Sequence, residues 1–246
     1  MLLSTDNFSG DLAVKVEAVG RDWLGFFAAN DISTCWPILR EARMRFEAGE
    51  NTIDQIKTSC KEAYRRQLQG RITDEVLGRY GLDLASFKQN GLKQFGRAVF
   101  NDLCLQIDRI NFDCEFLICG FDKDRKPYIF TLANPGIAVE YSTPGFWAIG
   151  SGASSALSTL FFHRLKPGTQ LTKAVYHVCE AKFMAESALG VGTRTTVFIL
   201  HKAGELEALG SRLVEEIKNA WISEGQARVP SGIEATIKSE IWNEKI

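Results

Sequence analysis

The sequence predicts an α+β fold in which antiparallel strands and helices occupy separate stretches of the chain. Apolar and polar residues alternate over residues 12–19, which is the period of a half-buried strand. In contrast, Ile38, Leu39, Ala42 and Phe46 recur at helical spacing. Strand signals occur in two blocks and each block is followed by helices. This order suggests two sheets packed face to face and covered by helices.

The first block is predicted to hold three strands followed by three helices. Ser33 or Thr34 can cap the first helix, and Gly49 ends it. Residues 50–110 carry no strand signal and are predicted to be helical. The helices of about 70–110 are predicted to be an insertion. The predicted strands are 1–5, 12–19 and 23–29; the later helices are 52–80 and 84–110, the last broken near Gly91 and Gly96.

The second block begins with a strand at 112–120 and a hairpin turn that contains Pro127. Thr169 is the expected cap of a helix over 171–186, and the tail after Gly225 is expected to be loose. The other predicted strands are 128–132, 137–141, 146–149 and 193–200; the other predicted helices are 153–162 and 205–222.

Composition argues against several classes of partner. The 246 residues carry a formal net charge of -1, so no strong electrostatic field would attract the protein to nucleic acid or to an anionic membrane. Residues 1–6 lack the basic and apolar regions of a signal peptide, and no apolar run is long enough to span a bilayer. The six cysteines form no CxxC pair and are expected to be free thiols in a reducing cytoplasm. The sequence thus predicts a cytoplasmic protein with no bound metal or cofactor.

The segment Gly150-Ser151-Gly152 is the most specific local motif of the sequence, because it runs from a predicted strand into a predicted helix. A dinucleotide site would need Gly or Ala where Ser155 stands, and a hydrolase nucleophile elbow would need Gly where Ile149 stands. The remaining interpretation, which we favour, is that Gly150 and Gly152 permit close packing and that Ser151, at the helix start, bonds to neighbouring backbone.

Five segments resemble the β-type subunits of the proteasome and their bacterial relatives among the N-terminal-nucleophile hydrolases, and they follow one another along the chain in the order that the family has. The segment 146–152 is similar to the family's Ala-Ile-Gly-Ser-Gly sequence, and 115–122 is similar to its strand ending in Gly, an aromatic residue and Asp. The other three similar segments are 2–7, 13–16 and 24–31. The resemblance implies a four-layer αββα sandwich of two antiparallel sheets, a threonine-type peptidase activity, a peptide or unfolded-protein substrate, and a homo-oligomeric ring.

The resemblance also implies site residues. Lys15 corresponds to the family's active-site lysine and Asp6 to its carboxylate partner. The backbone N–H of Ala29 corresponds to the donor that binds the oxyanion, and Ser151 to a supporting serine. These four are supporting residues only. The nucleophile of the family is an N-terminal residue on a strand before the position of Asp6, and the chain as written has no such strand.

Three hypotheses follow. The first is a threonine-type peptidase whose true start lies upstream, and the second is a non-catalytic ring subunit. The second is favoured by segment 187–192, which lacks the family's usual aspartate. The third is an interaction module that uses the helical insertion. Residues 1–225 are predicted to form a single proteasome-like domain with the helical insertion at about 70–110, and residues 226–246 a C-terminal tail.

Overall fold

The computed structural model describes residues 3–5, 8–10, 15–29, 32–47 and 49–225. Within these ranges the strands are β1 (Leu3–Thr5), β2 (Phe8–Gly10), β3 (Val16–Gly20), β4 (Trp23–Ala29), β5 (Cys114–Phe121), β6 (Pro127–Ala133), β7 (Ile137–Glu140), β8 (Phe198–Leu200) and β9 (Leu206–Ala208). The α-helices are α1 (Cys35–Glu47), α2 (Ile53–Ile72), α3 (Leu84–Arg109), α4 (Ala153–Phe162), α5 (Leu171–Ala185) and α6 (Ser211–Ala220).

The centre of the molecule is a five-stranded antiparallel sheet in the order β3-β4-β5-β6-β7. Each strand pairs with its neighbour in sequence order, and helices α1 to α3 are inserted between β4 and β5. The remaining described strands form two antiparallel pairs, β1-β2 and β8-β9. The predicted α+β class of antiparallel sheets and covering helices is therefore confirmed.

One face of the central sheet packs on α1 and α2 and forms the main core. Along β5 the residues alternate between buried and half-buried positions, as expected for a strand whose two faces differ. Phe116 and Ile118 point to this core, where they meet Ile38 of α1 and Tyr64 of α2. The opposite face of the sheet carries the other set of residues and looks towards α4 and α5.

The helices of the predicted insertion have a core of their own. Thr52 caps α2 by accepting the N–H of Gln55 at 3.2 Å, and a π-helical turn (Thr73–Leu77) continues α2. Leu77, Phe87 and Leu103 lie at the centre of the small core formed with α3. The helical prediction for this stretch is confirmed. The predicted break near Gly91 is wrong, because the φ and ψ angles leave the helical region at Gly96 alone.

Four predictions of element bounds or caps in the second block are wrong. Residues 146–149 form no strand, because Phe146 leaves the sheet to pack against Leu160 and Ala181. The strand of 193–200 is reduced to β8, and β9 replaces the first turn of the helix predicted from residue 205. Thr169 does not cap α5. Its hydroxyl donates instead to the carbonyl oxygen of Lys166 at 2.7 Å.

None of the six cysteines, all of which lie within the described ranges, forms a disulfide, as predicted. None of the helices in the described ranges is long and apolar enough to cross a membrane. The single-domain prediction stays a prediction, and the C-terminal tail from residue 226 lies outside the described residues.

A buried ionic network anchors the turn between β3 and β4. The carboxylate of Asp22 accepts a hydrogen bond from Arg125 Nη1 at 2.9 Å and another from Asn51 Nδ2 at 3.2 Å. Asn51 Oδ1 in turn accepts the indole N–H of Trp23 at 2.7 Å. Asp22 is 5% exposed, so its charge depends on these partners.

We expect Arg125→Ala to lower the free energy of unfolding by about 2 kcal/mol, because it leaves a buried carboxylate without a cation. This figure is below that of a fully buried pair, since the Arg125 side chain is partly exposed. Urea unfolding measures the change. Lys123→Ala is the matched control from the same turn, because both members of the Lys123–Glu50 pair are exposed and no measurable change is expected. Equal losses in the two variants would contradict the prediction.

Candidate active site

A cavity of about 1170 Å³ lies between the open face of the central sheet and helices α4 and α5. Strands β4 and β5 supply one wall. The other walls are the segment 145–153, the two helices and the loop after α5. Six residues that are far apart in sequence contribute polar side chains or backbone groups to these walls: Lys15, Ala29, Glu115, Ser151, Lys182 and Gly190.

Lys15 immediately precedes β3 and lines this cavity. Its carbonyl oxygen accepts the N–H of Phe27 at 3.2 Å, which fixes the backbone of Lys15 beside β4. Burial lowers the pKa of the Lys15 ammonium, and the nearby Cys35 thiol partly opposes that shift. A desolvated lysine beside a cavity is a group whose charge can be used on a bound molecule.

Ala29 is the last residue of β4 and lies opposite Cys114 of β5. It lines the same cavity as Lys15. The end of a strand is a suitable place for a backbone donor, because the ladder of paired N–H groups stops there.

Gly150-Ser151-Gly152 crosses the cavity wall between β4 and α5, and its glycines are required for close packing. Gly150 has a φ of +86°, where a side chain is strained, and an added Cβ would lie 3.1 Å from the Cβ of Ala28. At Gly152 an added Cβ would lie 2.7 Å from the Cβ of Ala185. Ser151 is thereby held exposed at the cavity edge, facing the loop at Gly190. The close-packing interpretation of the two glycines is confirmed, but within the described residues the Ser151 hydroxyl makes no hydrogen bond to neighbouring backbone.

Two charged residues of the cavity were not nominated from the sequence. Glu115 projects from β5 into the cavity, and its carboxylate accepts a hydrogen bond from the backbone N–H of Gly150. Lys182 of α5 donates to the carbonyl oxygen of Gly192 at 2.7 Å and to Glu186 Oε1 at 2.9 Å. Glu115 could have been noticed, because it is an acid on the strand face that it shares with Leu117 and Cys119.

Burial raises the pKa of Glu115 above its ordinary value, although the N–H of Gly150 partly opposes this. The folded protein therefore binds the Glu115 proton more tightly than the unfolded chain does. Stability should fall as pH rises from the ordinary pKa of Glu115 through the raised one. Glu115→Gln keeps an acceptor for Gly150 and should remove this part of the pH dependence, giving a higher midpoint of thermal unfolding at pH 7. A midpoint equal to or below that of the wild type at pH 7 would contradict this assignment.

The structure brings three of the four nominated residues, Lys15, Ala29 and Ser151, to one cavity. The fourth, Asp6, lies outside the described residues, and its pairing with Lys15 stays a prediction.

Comparison with known proteins agrees with this architecture. Residues 94–190 match the family model described as Proteasome subunit. The matched stretch is less than half of the chain and contains β5, α4 and α5, together with Ser151 and Glu115. A comparison with curated proteins gave no match. Over residues 94–190 the chain is therefore similar to the proteasome subunit family.

Proposed function

We propose that this protein is a proteasome-like subunit whose cavity supports peptide-bond hydrolysis by an N-terminal nucleophile. The observation that carries the proposal is the convergence of Lys15, Ala29 and Ser151 on one cavity. These residues come from three distant segments, and the family resemblance implies a role in the site for each of them. The lowered pKa of Lys15 adds support, because it marks a desolvated amine at the proposed reaction centre.

In this proposal each residue has a separate task. The nucleophile is the N-terminal Thr, Ser or Cys of the mature protein, on a strand ahead of Asp6. Its α-amino group, whose ordinary pKa is about 8, accepts the proton from the side chain. Lys15 stabilises the developing negative charge on the nucleophile, and Asp6 would orient Lys15. The N–H of Ala29 donates to the oxyanion of the attacked carbonyl.

The test is the intact mass and N-terminal sequence of the protein purified from its native locus, followed by turnover of fluorogenic peptides. We expect a mature chain that begins with Thr, Ser or Cys. Where that residue is Thr or Ser, a peptide boronic acid, which captures hydroxyl nucleophiles, should inhibit peptide turnover. A mature chain that begins at Met1 and turns over no peptide would overturn the enzymatic proposal.

A second candidate is a non-catalytic ring subunit of the same family. It is supported by the loop after α5, where Ala188, Leu189 and Val191 are apolar and the family's aspartate is missing. In this candidate Lys15, immediately before β3, has a structural role only. The mass measurement separates the two candidates, because only the enzyme needs a processed N-terminus.

A third candidate treats the insertion as a binding module. Helix α3 exposes Leu92 and Leu105, both more than half exposed, on the outside of its own small core. Deleting the insertion should then abolish partner capture while leaving the central sheet folded.

Under the two proteasome-like candidates we also propose a homo-oligomeric ring in the cytoplasm that acts on, or encloses, peptide or unfolded-protein substrates. The family is the basis for the ring. Light scattering of the full chain tests it, and a monomeric mass at micromolar concentration would contradict it.

A further inference from the structure

Two histidines and one glutamate from α4 and α5 meet at a single point of the structure. His163 follows the last residue of α4, and His177 and Glu180 lie one turn apart on α5. His163 Nε2 lies 2.8 Å from Glu180 Oε2, and His177 Nδ1 lies 3.1 Å from the same oxygen. The three ligand atoms all lie within 4.8 Å of one another. None of these residues lines the cavity of Lys15 and Ser151.

The electrostatics of this cluster favour a cation. Glu180 is 8% exposed, and within the described ranges its ion-pair partners are the two histidines, with no lysine or arginine among them. A buried carboxylate needs a compensating positive charge. The two imidazole rings are stacked with centroids 4.1 Å apart, so both are held beside this carboxylate. A divalent cation bound here would compensate the charge of Glu180.

The geometry points to a site for a divalent transition-metal ion, with Zn²⁺ as the best fit, held by His163 Nε2, His177 Nδ1 and the Glu180 carboxylate. Two imidazoles and one carboxylate form a known ligand set for zinc, which leaves a fourth position for water. In a tetrahedral zinc site neighbouring ligand atoms lie about 3.4 Å apart, because each is about 2.0–2.2 Å from the metal. The two nitrogen–oxygen distances, 2.8 and 3.1 Å, are a few tenths of an ångström shorter than this value.

A metal ion at this site would link the end of α4 to the middle of α5. Metal binding at His163 Nε2 requires the tautomer protonated at Nδ1, and binding at His177 Nδ1 requires the one protonated at Nε2. Both rings are only partly exposed, at 25% and 24% of the side chain, so the open position can be reached from solvent. This inference goes beyond peptide hydrolysis and does not depend on it.

Calorimetric titration of the full chain with Zn²⁺ tests the site. We expect one ion per chain and a higher midpoint of thermal unfolding in its presence. His163→Gln and His177→Gln keep an amide that can donate to Glu180 but remove the imidazole ligand. Each should weaken Zn²⁺ binding by at least about 100-fold, since losing a group behind a ligand already costs about 10- to 100-fold. His201→Gln is the matched control and should leave Zn²⁺ binding unchanged. His201 pairs with the exposed Glu207 on the β8-β9 hairpin, not with a residue of α4 or α5.

X-ray absorption of the zinc-loaded wild type gives a second measurement that does not depend on any variant folding. Nitrogen and oxygen ligands with two imidazoles are expected, whereas sulfur ligands would assign the ion to the free cysteines and overturn the proposal. Failure of the wild type to bind Zn²⁺, or wild-type affinity in both histidine variants, would overturn it equally. If the wild type bound Zn²⁺ but turned over no peptide, the result would count against the proposed function and not against the metal site.

Discussion

Replacing Lys15 with Ala is expected to lower kcat/KM for peptide hydrolysis by at least about 100-fold, the cost of removing one group that stabilises charge in the transition state. The physical reason is the position of Lys15 at the cavity wall, where burial lowers the pKa of its ammonium and strengthens its interaction with a neighbouring charge. Most of the loss should appear in kcat, because the proposed interaction forms as the nucleophile becomes charged. Steady-state turnover of a fluorogenic peptide measures both constants.

Two further variants separate chemistry from folding. Lys15→Arg keeps the positive charge but moves it, and should recover only part of the activity. Lys173→Ala, an exposed lysine on the first turn of α5, should behave as the wild type. If Lys15→Ala turned over peptides at the wild-type rate while its unfolding curve was unchanged, Lys15 would have no role in hydrolysis and the ring-subunit candidate would gain.

The candidate site was only partly predictable from the sequence, for a physical reason. Lys15, Ala29 and Ser151 were found because each stands in a short segment that resembles the family. Glu115 was missed because its partner, the N–H of Gly150, is distant in sequence and reaches it only through the fold. The His163–His177–Glu180 cluster was missed because two helices must pack before its members meet, although the three-residue interval between His177 and Glu180 is a helical signal.

The fold shows the same division between local and long-range causes. Strands β3 to β6 and helices α1, α2, α4 and α5 follow from alternation, helical periodicity and turn residues. Residues 146–149 carry an apolar pattern that suits a strand, yet Phe146 is buried against Leu160 and Ala181 instead. Leu206 to Ala208 belong to a pattern that suits a helix, yet pairing with β8 makes them a strand. In both cases a tertiary contact outweighs the local preference.

Gly120→Ala is expected to be among the most destabilising single substitutions in the central sheet, by about 3 kcal/mol or more. Gly120 lies opposite Trp23 in the β4-β5 ladder, and the indole ring covers its backbone. A Cβ at this position would lie 2.2 Å from the carbonyl oxygen of Asp22 and 2.6 Å from the ring. The carbonyl cannot move aside freely, because it accepts the N–H of Phe121 at 3.0 Å. The added methyl group must therefore separate β4 from β5 or displace Trp23, which is 1% exposed.

The same chemical change at Gly70 provides the control. Gly70 lies inside α2, and an added Cβ there would have no atom within 4 Å. Gly70→Ala should raise the free energy of unfolding by about 0.5–1 kcal/mol, because alanine loses less backbone entropy in a helix. Urea unfolding of the two variants should thus shift in opposite directions. A Gly120→Ala midpoint within error of the wild type would mean that the strands separate at little cost, and the glycine in this segment would then need a reason other than the approach of Trp23.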